Sequence, residues 1–73
     1  MTDKEIAQLQ SYLRKTFDCE RIKVLKSSRK EDSAEVNIGD EFIGVLYRDE
    51  EDGELSYAFQ MAILDIDLPT LAN

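Results

Sequence analysis

The side chains of this chain that are best suited to bind a cation or transfer a proton are its clustered carboxylates. An acidic run covers residues 49–54, and Asp65 and Asp67 follow two residues apart. Clustered carboxylate oxygens suit hard cations such as Ca²⁺, and a carboxyl pair can perform acid–base work when burial separates the two pKa values. The run lacks the alternating ligand spacing of a calcium loop, which favours a solvated hairpin turn. We interpret Asp65 and Asp67 as exposed residues at the end of a strand, just before Pro69.

The chain has one cysteine, Cys19, and no histidine. It therefore lacks the usual general base and the commonest zinc ligand, and a single cysteine excludes an internal disulfide. Cys19 follows a predicted helix C-terminus, which disfavours a thiolate, so we interpret it as a small, partly buried residue. The sequence also contains no glycine-rich phosphate loop and no nucleophile motif. We predict a non-enzymatic protein without a cofactor or a metal.

Positive charge is concentrated in the first part of the chain. Residues 1–30 hold eight Lys/Arg and four Asp/Glu, whereas residues 31–73 hold one Lys/Arg and twelve Asp/Glu, for a net charge of −7. The predicted basic patch consists of Arg21, Lys23, Lys26, Arg29 and Lys30. It is interpreted as a solvated loop region, an RNA-binding surface or a surface that meets the acidic half of another copy. Aromatic residues do not interleave with it, and the acidic balance disfavours nucleic acid.

Length and composition predict one small folded domain over residues 1–73. A chain of this size buries about 60% of the surface that it exposes when unfolded. An apolar fraction of 42% with 34% charged residues is typical of a folded and very soluble domain. The N-terminus is charged where a signal peptide would be apolar, and the longest apolar run, FIGVLY, is too short to span a bilayer. We expect a cytoplasmic protein with no membrane association.

The opening of the chain predicts a helix over about residues 3–17. Thr2 and Glu5 have the spacing of a capping box. Apolar residues then recur with helical spacing and form one stripe: Ile6, Leu9, Leu13 and Phe17. Beyond Cys19 the apolar period becomes two. Strands are predicted at about residues 21–26, 34–38, 41–48 and 54–64, followed by a tail over residues 65–73.

The hairpin turns predict which residues pair. A two-residue loop at Gly39-Asp40 pairs Val36 with Ile43 and Ala34 with Val45. The first strand fits if Val24 faces Val36 and Ile22 faces Ile38. A five-residue loop over Asp49–Gly53 pairs Val45 with Tyr57 and Ile43 with Phe59, and it is preferred to a four-residue loop because a one-residue slip turns a whole strand over.

The predicted fold is α+β, with one N-terminal helix packed on a four-stranded antiparallel meander in the order α-β-β-β-β. In this register Ile43 and Val45 face the helix, and an apolar group remains on the opposite sheet face. Its predicted residues are Phe42, Gly44, Leu46, Ala58, Ala62 and Leu64. Exposed patches of this kind mark interaction sites. We expect a homodimer or a protein partner on this face; the alternative is that Leu68 and Leu71 of the tail cover it.

The chain also resembles a known family. The stretch DSAEVNIGDEFIGVLYRDEEDGELSYAFQMAILDIDL and the opening EIAQLQSYLRKTF are similar to a small alphaproteobacterial family, the domain of unknown function 3126. The resemblance covers nearly the whole chain. It implies a bacterial protein that forms a small independent domain, and it assigns no activity, ligand or catalytic residue.

Overall fold

A computed structural model describes residues 1–51 and 53–71. It contains helix α1 (Asp3–Thr16) and strands β1 (Ile22–Lys26), β2 (Ser33–Ile38), β3 (Glu41–Asp49) and β4 (Ser56–Gln60), followed by a short 3₁₀ turn, η1 (Asp65–Asp67). The strands form one antiparallel sheet in the order β1-β2-β3-β4. The predicted α-β-β-β-β fold is confirmed. Within the described residues, no helix has the length and apolar character needed to cross a membrane.

Helix α1 has a specific cap at each end. The predicted capping box is present, because the Glu5 N–H donates to Thr2 Oγ1 (3.1 Å) and the Thr2 N–H donates to Glu5 Oε1 (2.9 Å). At the other end, Asp18 adopts a left-handed φ of 51°. The Cys19 N–H can then donate to the Arg14 carbonyl oxygen (2.9 Å), as in a Schellman motif. This turn brings Cys19 back against the core.

The first hairpin has the predicted register. Ile22 pairs with Ile38 and Val24 pairs with Val36 across β1 and β2. The turn to β3 pairs Ile38 with Glu41, as expected for a two-residue loop. Gly39 has a φ of +59° there, a backbone conformation that glycine adopts without steric cost.

Strand β3 contains an extra residue that the turn spacing did not predict. Asn37 pairs with Phe42, but the next residue of β2, Val36, pairs with Gly44, so Ile43 is the extra residue of a β-bulge. Beyond the bulge every side chain of β3 faces the opposite side from the one predicted. The predicted pairs of Val36 with Ile43 and Ala34 with Val45 are wrong, since Ala34 pairs with Leu46.

Gly44 gives a physical reason for the bulge at this point. A Cβ atom on Gly44 would lie 2.5 Å from the Gln60 carbonyl oxygen and 2.6 Å from the Phe59 ring. No side chain fits there, and the ring of Phe59 packs against β3 where the bulge bends the strand. Glycine inside a strand often marks a bulge or a close approach of another chain segment.

Strand β4 is shorter than predicted and is connected by a longer loop. Asp49 pairs with Ser56, so the connection spans residues 50–55 rather than 49–53, and Asp52 lies outside the described residues. Arg48 then pairs with Tyr57. The predicted pairing of Val45 with Tyr57 is therefore wrong, although Tyr57 and Phe59 do face the helix side as expected.

The buried core is small and includes Leu46. Its side chains come from α1 and the first three strands: Leu13, Ile22, Val24, Ala34, Val36 and Leu46. Leu46 is only 2% exposed, because the bulge turns it toward the helix. Its predicted place on the opposite sheet face is wrong. Val45 and Tyr47, predicted to face the helix, lie on that opposite face and are half-buried.

The chain after β4 lies outside the core. Residues 61–71 are all exposed, so Leu68 and Leu71 do not cover the second sheet face. The radius of gyration is 14.1 Å and the longest dimension is 47 Å, whereas a compact domain of this length has a radius of gyration of about 11 Å. The tail therefore contributes exposed surface without adding core.

Truncation of Leu46 tests the effect of the bulge. Because Leu46 is buried under the helix, Leu46→Ala should lower the free energy of unfolding by about 2–4 kcal/mol in urea denaturation. Val45→Ala, on the neighbouring residue and the opposite face, is the matched control and should cost about 1 kcal/mol or less. A larger loss for Val45→Ala than for Leu46→Ala would contradict the observed register.

Candidate interaction site

An open apolar groove lies between the C-terminal half of α1 and the sheet. Its volume is about 280 Å³. The lining is almost entirely apolar and comes from the helix, the turn after it and all four strands or their ends: Leu13, Phe17, Cys19, Ile22, Val36, Ile38, Ile43, Phe59 and Met61. A groove with this lining can bind an apolar side chain or chain segment, and the Cys19 thiol is the one reactive group among its lining side chains.

The position of the helix leaves this groove open. Helix α1 packs mainly on β1, so the half of the sheet formed by β3 and β4 receives little cover at that end. Phe17, the C-cap of the helix, stays 55% exposed on one rim, and Met61 stays 52% exposed on the other. Phe17 was predicted to complete the buried helix stripe, and its exposure instead makes it part of the groove.

The tail presents a second apolar feature next to the groove. Phe42 lies beside the chain that follows β4, and the two form the wall of a shallow depression on the surface. We call this set the apolar strip: Phe42, Met61, Ala62, Ile63, Leu64, Ile66, Leu68 and Leu71. Ile66 is the most exposed of its large side chains, at 87%. Met61 belongs both to the lining of the groove and to the apolar strip.

The fold brings part of the predicted interface together, since Phe42 and Ala62 line two neighbouring shallow depressions, one with Gly44 and the other with Leu64. Phe42 and Leu64 are exposed, and so are Ala58 and Ala62. Leu46 is buried and cannot contribute to a surface. The bulge removes it from the predicted patch, and the tail supplies the apolar residues that extend it.

The predicted basic patch is distributed over several surfaces. Lys23 and Lys26 point to opposite faces of β1, since they lie three residues apart on one strand. Lys26 forms an ion pair with Asp3 at 2.6 Å, and the Arg21 guanidinium lies over Gly39 at the other end of the strand. Arg29 and Lys30 are exposed in the loop that follows β1. The five residues therefore do not share one face, although Lys26 and Lys30 line the same cleft.

The carboxylates do not assemble into a cation site. Asp65 and Asp67 lie in the exposed turn η1, and the acidic run faces solvent at its described positions, with Asp52 outside them. In the part of the chain that the structure describes, no three His, Cys, Asp or Glu side chains converge as metal ligands.

Glu5 is the centre of a polar cluster that the sequence predicted only in part. Its Oε1 accepts from Thr2 in the capping box, while its Oε2 accepts a hydrogen bond from the Tyr57 hydroxyl at 2.6 Å. The same Oε2 lies 3.0 Å from Arg48 Nε. That contact is an ion pair rather than an aligned hydrogen bond, and Arg48 also pairs with Glu50. The spacing of Thr2 and Glu5 predicted the helix cap, but no sequence pattern predicted that Tyr57 and Arg48 would contact Glu5.

These contacts shift the ionisation of the cluster. The hydrogen bond from Tyr57 and then that from the Thr2 backbone lower the pKa of Glu5 from 4.5 to about 2. The same hydrogen bond to Glu5, with burial, raises the pKa of Tyr57. One oxygen of Glu5 thus caps its own helix and the other holds the helix on the sheet, which argues for a structural role rather than a reactive one.

A polar cleft beside this cluster contains charges of both signs. Lys26 and Lys30 line it together with Glu31 and Asp32. The N-terminal ammonium of Met1 donates to the Glu31 carbonyl oxygen there. Basic and acidic groups alternate around the cleft, so it lacks the net charge that would select an anionic or a cationic ligand.

Sequence comparison identifies the family. The model of the family described as "Protein of unknown function (DUF3126)" matches residues 5–67. The chain belongs to this family. No match was found among the curated proteins or the solved structures. Membership in DUF3126 confirms the resemblance seen in the sequence, and the matched range includes most of the helix, all four strands and η1.

The Glu5 cluster predicts a specific pH dependence. Because the pKa of Glu5 is lower in the folded state than its usual 4.5, its stabilising contribution should be complete above pH 4.5 and be lost as the pH falls toward about 2. Tyr57→Phe removes the main cause, so the pKa of Glu5 should rise toward 4.5 in an NMR titration. Tyr12→Phe, at an exposed tyrosine of the same helix, should leave it unchanged. A wild-type Glu5 that titrates near 4.5 would contradict this assignment.

Proposed function

We propose that this chain is a non-enzymatic protein-interaction module that acts as a homodimer, with the apolar strip in the interface. The observation that carries the proposal is the amount and character of the exposed surface. The accessible surface is 6161 Å² for a chain of 8.4 kDa. A folded monomer of this mass exposes about 4600 Å².

The excess exposed area is nearly twice what a standard interface buries on each partner. It amounts to roughly 1500 Å² per chain, while a standard interface buries about 800 Å² on each partner. Much of it lies on large apolar side chains of the strip, such as Ile63, Ile66 and Leu71. Burial of these residues in a second copy would supply the hydrophobic free energy that the six-residue core does not.

The charge distribution favours a second copy as the partner. The first 30 residues carry a net charge of +4 and the remainder a net charge of −11. Two identical chains can therefore bring unlike charges together at an interface, although each chain is strongly acidic as a whole. The lone Cys19 fits a reducing compartment, and we place the dimer in the cytoplasm.

Mass measurement tests the homodimer directly. Light scattering at tens of micromolar should give about twice the mass of the 8.4 kDa chain. Ile66→Asp inserts a charge into the strip and should shift the mass toward the monomer, with the circular dichroism spectrum retained. Tyr12→Asp is the matched control, because Tyr12 is a large exposed residue on the helix, at 64% exposure, and it should remain dimeric.

Two outcomes would contradict the proposal. A wild-type protein that stays monomeric across the concentration range would exclude a homodimer. Equal dissociation of the Ile66→Asp and Tyr12→Asp variants would show that the strip has no special part in association.

A further inference from the structure

We infer that the two chains of the dimer exchange their tails, so that the segment around Ile66 and Leu68 of each copy occupies the apolar groove of the other. This inference rests on the proposed homodimer and specifies its contacts. It assigns an occupant to the groove and a binding site to the tail, since the tail of each chain leaves the groove of that chain open.

The tail is positioned to leave its own core. Met61 lies on the groove rim, and the chain then continues through the turn η1. Ile66 is 87% exposed and Leu68 is 54% exposed, so neither fills the groove of its own chain. This exposure makes the tail available to a neighbour.

The groove has the size and chemistry for side chains of this type. An apolar cavity of about 150 Å³ binds a benzene molecule, so a groove of about 280 Å³ has room for about two aliphatic side chains. Phe17 and Phe59 present aromatic surface to such an occupant, and Ile38 and Ile43 form the base on the sheet. Its apolar lining offers no competing polar ligand.

The charges beside the groove complement those of the tail. The Arg21 guanidinium lies over Gly39, next to Ile22 and Ile38 of the groove lining. Among the described residues, Arg21 takes part in no salt bridge. On the tail, Asp65 and Asp67 flank Ile66 on either side. Insertion of Ile66 would therefore bring a carboxylate toward Arg21 of the other copy.

Exchange also gives a closed assembly. Each copy carries one tail and one groove, so two copies related by a two-fold axis satisfy both sites reciprocally. Both grooves would be occupied in one dimer, and neither would remain free to accept the tail of a third chain. The net charge of −7 per chain further opposes larger assemblies.

The native cysteine allows a direct test of this contact. Cys19 lines the groove and is the only thiol of the chain. In the full-length protein, Ile66→Cys or Leu68→Cys places a second thiol on the exposed tail, where it does not disturb the core. Mild oxidation with diamide should then produce a dimer on non-reducing gels, because a disulfide requires the two Cα atoms to lie within about 7 Å. Mass spectrometry should identify a disulfide between Cys19 and the thiol introduced into the tail.

The controls separate exchange from chance collision. Tyr12→Cys places an exposed thiol on the outer side of the helix and should cross-link at least about tenfold more slowly than the tail variants, since about 1.4 kcal/mol of contact preference already gives that ratio. The Cys19→Ser background of the Ile66→Cys and Leu68→Cys variants should lose the groove-specific link. A mixture of isotope-labelled and unlabelled protein should give links between labelled and unlabelled peptides.

The outcomes distinguish this inference from the homodimer itself. A disulfide between Cys19 and the introduced tail thiol of the same chain would show that the tail folds back on its own groove and would overturn the exchange. A protein of doubled mass in which neither tail variant links faster than the Tyr12→Cys control would also overturn it, while the homodimer stands through another surface. A wild-type monomer would overturn both.

Discussion

The extra residue in β3 decides which side chains of this small sheet reach the helix. With Ile43 as the bulged residue, both Ile43 and Leu46 pack on the helix side although they are three positions apart. A regular strand places residues three apart on opposite faces. The bulge therefore places Leu46 in the core where a regular strand would place Val45, while Phe42, which precedes the bulge, keeps its predicted face and stays exposed. The composition of the buried core is a consequence of this one irregularity.

A single carboxylate holds the two layers in place at the other end of the molecule. Glu5 caps its own helix through one oxygen and binds Tyr57 and Arg48 through the other. The N-terminal end of α1 is therefore fixed to β3 and β4 by polar contacts, whereas its C-terminal end, at Phe17, diverges from those strands. The groove is the space left by this unequal attachment.

Local patterns predicted the elements of this fold well, because their signals are carried by neighbouring residues. The helix cap at Thr2, the turn at Gly39 and the first hairpin all follow from such signals. Counting residues from the turn at Gly39 could not predict which sheet face each side chain of β3 lies on. A bulge adds one residue to the strand, and the amino-acid composition does not reveal it. Gly44 was the available warning, because a glycine within an apolar strand indicates a close contact or a bulge. The exposed tail left no sequence signal that separates an apolar strand end from an apolar docking segment.

The attachment of β4 has a consequence for the local stability of the fold. None of its five residues is fully buried, and apart from its ladder with β3 it is joined to the helix through the Tyr57 hydroxyl. Opening of β4 should therefore require less free energy than global unfolding, and its amides should exchange with solvent before those of β1 and β2. Each such opening would release the tail together with the strand that carries it and would uncover the edge of β3. Strand β4, which we expect to open first, is therefore followed directly by the tail that we propose to bind a neighbour.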